Sequence, residues 1–194
     1  MTATPGRSII TAMLIAPMTP TDWPQVRRIY AEGIATGDAT LEREAPDWDH
    51  FDRSHRPDCR LVARATPDGP VLGWVALTAY SARRVYSGVA WESVYVAELA
   101  RGRGVGRALL DAVIPAAEAA GFWTLLAGVM AENAASRALH ERAGFREVGV
   151  QRALGRDPTG RWRDVVLLER RSDDIGFAGL TEAPRHRRAS PRSP

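Results

Sequence analysis

The chain has 194 residues, 45% hydrophobic and 25% charged, with a formal charge of +3. That length suits one domain with a sizeable core, and the mild positive charge suits an anionic ligand without demanding a nucleic acid. Cys59 is the single cysteine, which excludes an intrachain disulfide and a two-cysteine metal clip and fits a reducing, cytoplasmic setting.

The first dozen residues lack the apolar core of a secretion signal, and no run approaches the roughly 18 apolar residues of a membrane span. "LIAPM" (Leu14 to Met18) reads as a first strand. "TPTDWPQVRRIYAEGI" offers Thr21 as a helix cap, Pro24 in the first turn, and Val26, Ile29, Tyr30 and Ile34 at helical spacing. The loop "ATGDATLEREAPDW" leads to a second helix over Trp48 to Arg56, which Pro57 ends. "RLVARA" and "VLGWVALTA" read as an antiparallel pair joined by the turn "TPDG".

The polar, aromatic-rich "YSARRVYSGV" precedes a further strand over Ala90 to Ala97. A glycine-rich stretch then opens a helix over Val105 to Ala120, with Val105, Ala108, Leu109, Ala112 and Ala116 as its apolar stripe. Pro115 removes one hydrogen bond from that helix and predicts a kink; Gly121 stops it. "FWTLLAGVM" is apolar enough for a central strand. "NAASRALHERAG" is a short helix between Asn133 and Gly144, and "FREVGV" and "RDVVLLER" complete the sheet. Residues 1–12 read as an extension, 13–171 as the domain, and 172–194, rich in Arg, Pro and Ser, as a disordered basic tail. The order β-α-α-β-β-β-α-β-α-β-β predicts an α/β (α+β) domain whose mixed, mainly antiparallel sheet is flanked by helices.

The stretch "ARGRGVGRALL" poses the chemical question. The dinucleotide spacing fails, because the sixth position from Gly102 is Arg107, and the P-loop spacing fails for want of a lysine. What remains is Arg101, Gly104 and Gly106 opening directly into a helix. The first amides of a helix have no internal partner and favour an anion, and glycine lets backbone approach it closely. The competing reading is a glycine-rich turn with solvated arginines.

"VYV" followed by this loop, together with "IYAEGIATGDATLERE", "ENAASRALHERAGF" and "GRWRDVVLLER", resembles the GNAT acetyltransferases over about Leu14 to Arg171. Within that superfamily the chain is similar to phosphinothricin and methionine sulfoximine N-acetyltransferases. The resemblance implies acetyl-CoA as co-substrate, a small-molecule amine as acceptor, direct transfer in a ternary complex, and a homodimer; no metal is expected, because the histidines show no metal-ligand spacing. It implies pantetheine along Val94, Tyr95 and Val96, pyrophosphate on the amides of Arg101, Gly102, Arg103, Gly104, Val105, Gly106 and Arg107, and Asn133 near the thioester.

The family places a glutamate three residues before the first valine of "VYV". Here Trp91 stands there and Glu92 lies two before. A one-residue shift points a strand side chain to the other face, unless a bulge restores it. Glu92 is the expected base, with a solvated or salt-bridged strand-end glutamate as the competing reading and a water chain or Glu32 as the other routes for the proton. His140 lies seven residues after Asn133 on the same helix face. It is expected to protonate the departing thiolate or help deprotonate the amine; the competing reading is a histidine bonded to backbone.

Glu32, Leu41, Tyr80, Arg83 and Tyr86 are the expected acceptor pocket, with an arginine pairing an acceptor carboxylate or phosphinate. Leu41 replaces a phenylalanine common in the family. His50, His55 and His186 have no expected role. Two other readings stay open: the same fold acting on another amine or a protein N-terminus, and a non-catalytic acyl-CoA-binding domain. The basic "PRHRRASPRSP" comes with no nucleic-acid reading surface, so neither a nucleic-acid partner nor a membrane is expected.

Overall fold

The computed structural model describes residues 13–175. The extension expected over 1–12, the tail beyond residue 175 and His186 lie outside them. Along the chain run β1 (Leu14–Pro17), α1 (Trp23–Ala35), α2 (Trp48–Ser54), β2 (His55–Arg64), β3 (Val71–Ala79), β4 (Val89–Val96), α3 (Val105–Ala119), β5 (Thr124–Met130), α4 (Ala134–Arg142), β6 (Arg146–Arg156) and β7 (Trp162–Arg171). This is the predicted element order. One seven-stranded sheet has the order β1-β2-β3-β4-β5-β7-β6, and only β4 and β5 pair in parallel.

Strand alternation divides the core into two layers. Val75 and Leu77 of β3 face α3, whose Val105, Leu109, Leu110 and Val113 are fully covered. Trp74 and Ala76 face the other way, onto Val26 and Ile29 of α1 and Phe51 of α2. Burying each such side chain contributes about 1.5–3 kcal/mol relative to exposure, so both helical layers hold the sheet.

Three local expectations change. Thr21 does not cap α1; Asp22 stands at its N-cap position and its carboxylate accepts from the Thr19 amide at 2.8 Å and hydroxyl at 2.9 Å. The second helix stops at Ser54 rather than Arg56, and Pro57 lies inside β2. The buried stripe of α3 is Val105, Leu109, Leu110, Val113, Ile114 and Ala117, with Ala108, Ala112 and Ala116 only half-buried. The larger side chains set the helix rotation, because they have more area to remove from water. The helix runs on through Pro115 to Ala119.

Candidate active site

The parallel seam between β4 and β5 is short. Val89, Ala90 and Trp91 pair with Thr124, Leu125 and Leu126, and no pair follows. Beyond Trp91 the strands splay. On its other edge β4 stays paired with β3 from Ala90 to Val96. The Tyr80 amide donates to the Val89 carbonyl at 3.1 Å and the Ala97 amide to the Leu72 carbonyl at 2.9 Å. Hydrogen-bonded positions alternate along an antiparallel pair, so odd-numbered residues of β4 bond toward β3. Even-numbered Val94 and Val96 therefore turn their backbone groups toward the splay. The Val96 carbonyl also accepts from Arg101 Nε at 3.3 Å.

β4 leads into the glycine loop. Gly102 (φ 70°) and Gly104 (φ 88°) take left-handed conformations that a side chain would strain. Gly104 is the N-cap of α3 and supplies no side-chain cap, so the first-turn amides point outward for an anion. Arg101 is tied to Val96, and Arg107 is tied to Asp111 at 2.7 and 2.8 Å and to the Arg142 carbonyl at 2.7 Å. Backbone, more than guanidinium, shapes this corner.

A cleft of about 380 Å³ fills the splay. One wall is β4 and another β5; Asn133, Ser136 and His140 of α4 line it, as do Val165 of β7 and residues 38–42 of the loop between α1 and α2. Glu92 and His140 meet here. Glu92 Oε2 lies 2.9 Å from His140 Nε2, and both side chains are almost wholly buried. His140 Nδ1 lies 2.8 Å from the Ser136 carbonyl. With Glu92 as carboxylate, both ring nitrogens face acceptors, and only an imidazolium donates to both. Burial pulls His140 down, but the Glu92 bond and charge and the Ser136 carbonyl outweigh it, leaving the imidazole above its ordinary value. Glu92 Oε1 is buried with no protein partner.

No bulge delivers Glu92 to this place: the β3–β4 register is continuous from Ala79↔Ala90 to Gly73↔Val96. Glu92 shares the α3 face with Val94 and Val96, where α4 carries His140. Trp91 points to the opposite face and also lines the cleft. Tyr95, on the Trp91 face, stacks on Trp74 at 4.7 Å and lies 4.7 Å from the Tyr30 ring. Burial, then the Glu42 charge, raises the Tyr30 phenol, and Thr40 lines the cleft beside both tyrosines.

The structure gathers Leu41, Glu92, Val94, Tyr95, Asn133 and His140 around one cleft, places Val96 and the Arg101 to Arg107 loop beyond its walls, and leaves four of the five expected acceptor residues off them. Glu32 accepts the Glu98 amide at 2.9 Å, fastening α1 to the turn after β4. Tyr80 and Tyr86 pack edge to face in the β3–β4 loop, with ring centroids 5.5 Å apart, and the Arg83 guanidinium lies 5.3 Å from the Tyr86 ring. Asn133 caps α4 through the Ser136 amide and donates to the Asp38 carbonyl, both at 3.0 Å. Tyr30, Asp38, Thr40, Glu42 and Ser136 lie inside the stretches that carry the resemblance, yet no spacing rule assigns them to the cleft. Among the described residues no group of three or more His, Cys, Asp or Glu could hold a metal, and no helix is long and apolar enough to cross a membrane.

Residues 23–145 match the acetyltransferase (GNAT) family. The chain belongs to that family. It is 37% identical, over 77% of each chain, to the phosphinothricin N-acetyltransferase of Alcaligenes faecalis. It is 30% identical to the L-methionine sulfoximine/L-methionine sulfone acetyltransferase of Pseudomonas aeruginosa, over 76% of this chain and 88% of that one. The phosphinothricin acetyltransferase of Sinorhizobium meliloti, solved in complex with acetyl-CoA, superposes with a TM-score of 0.75 at 27% identity, over 88% of this chain and 92% of that one. The chain is thus a GNAT N-acetyltransferase with acetyl-CoA as co-substrate. The outward amides at the mouth of α3 and the unpaired edge of β4 suit that ligand's diphosphate and amides.

Proposed function

We propose that this N-acetyltransferase moves an acetyl group from acetyl-CoA to the amino group of a small, amino-acid-like acceptor of the phosphinothricin or methionine sulfoximine type, by direct attack in a ternary complex. In this reading the Val94 and Val96 backbone takes the pantetheine and the amides from Arg101 to Arg107 take the pyrophosphate. The amine enters beneath residues 38–42, with Leu41 on the acceptor side, and Asn133 stands at the thioester end.

An α-amino group has a pKa of about 7.7–8.0 in peptides, so it must shed a proton before it attacks. The observation that carries the reading is the buried, partnerless Oε1 of Glu92 in the cleft, beside the His140 bond at 2.9 Å on Oε2. Glu92 Oε1 takes the amine proton. The new C–N bond forms as the C–S bond breaks, the nitrogen's second proton passes to the departing thiolate, and Glu92 returns the first to solvent. Both His140 nitrogens are already engaged, so His140 acts through Glu92, fixing its carboxylate and balancing its charge.

The test is release of free CoA thiol with phosphinothricin, L-methionine sulfoximine, simple amines and peptide N-termini. Turnover concentrated in the first two supports the reading. Preference for amines or peptides moves the acceptor class. Acetyl-CoA binding without turnover of any of them returns the non-catalytic reading.

The proposal includes a homodimer. In support, β6 is an eleven-residue edge strand, mostly exposed, which leaves Val148, Val150 and Leu154 about half accessible, and bare edges invite pairing. Sedimentation equilibrium checks it.

A further inference from the structure

We propose that Arg163 of β7 is a positioning residue for the amine acceptor: it locks the α1–α2 loop into the shape that forms the acceptor wall. This rests on the reading of the cleft as an acetyltransferase site. The loop has little to hold it from within. Between Ala35 and Trp48 it forms no helix or strand, yet residues 38–42 line the cleft.

Its anchors come from distant segments. Arg163 is 4% exposed. Its Nη1 donates to the Gly37 carbonyl at 2.7 Å, and its Nη2 to Asp38 Oδ1 at 2.7 Å and Glu132 Oε2 at 3.2 Å. Asp157 completes the ring at 3.5 Å. Arg161 adds a second cation, 3.2 Å from Glu132. One planar guanidinium thus joins the loop to the start of α4 and to the β6–β7 turn, and charge-assisted bonds of this kind are the strong ones.

Two further contacts converge on the same loop. Asn133 Nδ2 holds the Asp38 carbonyl. Leu41 sits over Gly155 of β6, where an added Cβ would lie 2.5 Å from Leu41 Cδ1. Downstream of the clamp, Thr40 and Glu42 share the cleft wall with Tyr30 and Tyr95. The clamp touches nothing at the α3 mouth. Loosening it therefore harms acceptor binding and spares acetyl-CoA.

The experiment compares the full chain with Arg163→Met, Arg163→Lys and Asp38→Ala. Lysine keeps the charge but not the fork, and Asp38→Ala removes a half-exposed carboxylate while leaving the backbone anchor. Steady-state kinetics use acetyl-CoA and L-methionine sulfoximine; hydrogen–deuterium exchange follows residues 36–47. The expected result is an acceptor KM raised about tenfold in Arg163→Met and Asp38→Ala, with the acetyl-CoA KM within about twofold. Arg163→Lys recovers part of the loss, and exchange quickens over 36–47 but not over 98–110. Equal rises in both KM values, or unchanged exchange over 36–47 in both Arg163→Met and Asp38→Ala, overturn the proposal. If the wild type leaves methionine sulfoximine unacetylated, the acceptor assignment is what fails. The exchange arms then decide the clamp alone: faster exchange upholds it, unchanged exchange refutes it.

Discussion

The two ends of the cleft are built from different material. The α3 end is made of backbone: left-handed glycines, uncapped amides and the free edge of β4. The end proposed for the acceptor is made of side chains gathered from α1, the loop after it, β4, β5, α4 and β7. A backbone site is indifferent to most side-chain changes but cannot bear a wrong φ. A side-chain site is open to retuning, residue by residue, while the cofactor end stays fixed. Related enzymes can therefore share one co-substrate and differ in acceptor.

The comparison breaks most sharply at Glu92, where the two ends meet. Glu92→Gln should lower kcat by about 10²-fold or more while the acetyl-CoA KM holds, read from CoA release. An undiminished kcat rejects Glu92 as the base and leaves the fold intact. Gly104→Ala tests the backbone end: at φ 88° the added Cβ meets no neighbour within 4 Å, so only strain acts, costing about 1–2 kcal/mol. The expected effect is a rise of about tenfold in acetyl-CoA KM, with the acceptor KM little changed.

The Glu92–His140 pair sharpens the contrast through pH. His140 titrates above its ordinary value, so its contribution to stability is complete below about pH 6.5 and is lost as pH rises through the raised folded value. In Glu92→Gln the charge goes and burial remains, so the His140 ring titration by NMR should move to lower pH. An unmoved titration removes the pair from the mechanism.

The smallest effect lies outside the cleft. His55, stacked on Phe51 at 3.8 Å, is lowered to about 4 by burial above all, with the charges of Arg60 and His50 helping against the Phe51 carbonyl. Its contribution is present above about pH 6.5 and is lost as pH falls from there toward 4. His55→Gln should flatten the acid arm of a melting-temperature profile over that window without altering turnover at pH 8.

The same division of material explains what was legible in the sequence. An anion site at a helix mouth needs glycines and a helix start side by side, so it is written contiguously in Gly102 to Arg107. Element order follows from periodicities that are equally local. The acceptor end depends on meetings across the chain; Arg163 and Asp38 are 125 residues apart, and no spacing rule reaches that far. One signal was available. Arg163 shares a strand face with Val165, which is buried in the cleft wall, and a charge in an inward row of a strand asks for partners. Glu92 lines the cleft without a bulge, because α4 brings His140 to the face on which Glu92 already lies. Glu32, Tyr80, Arg83 and Tyr86 were assigned by proximity along the chain to pocket-forming segments, and their own neighbours claim them instead.

The seam of three residues between β4 and β5 has a thermodynamic consequence. The first four strands and the last three share a backbone ladder of only three residue pairs, so a ligand lying in the gap would act as a further rung. Saturation at a hundred times its dissociation constant would add about 2.7 kcal/mol to the folded state. The melting point of this enzyme should then report how much acetyl-CoA surrounds it.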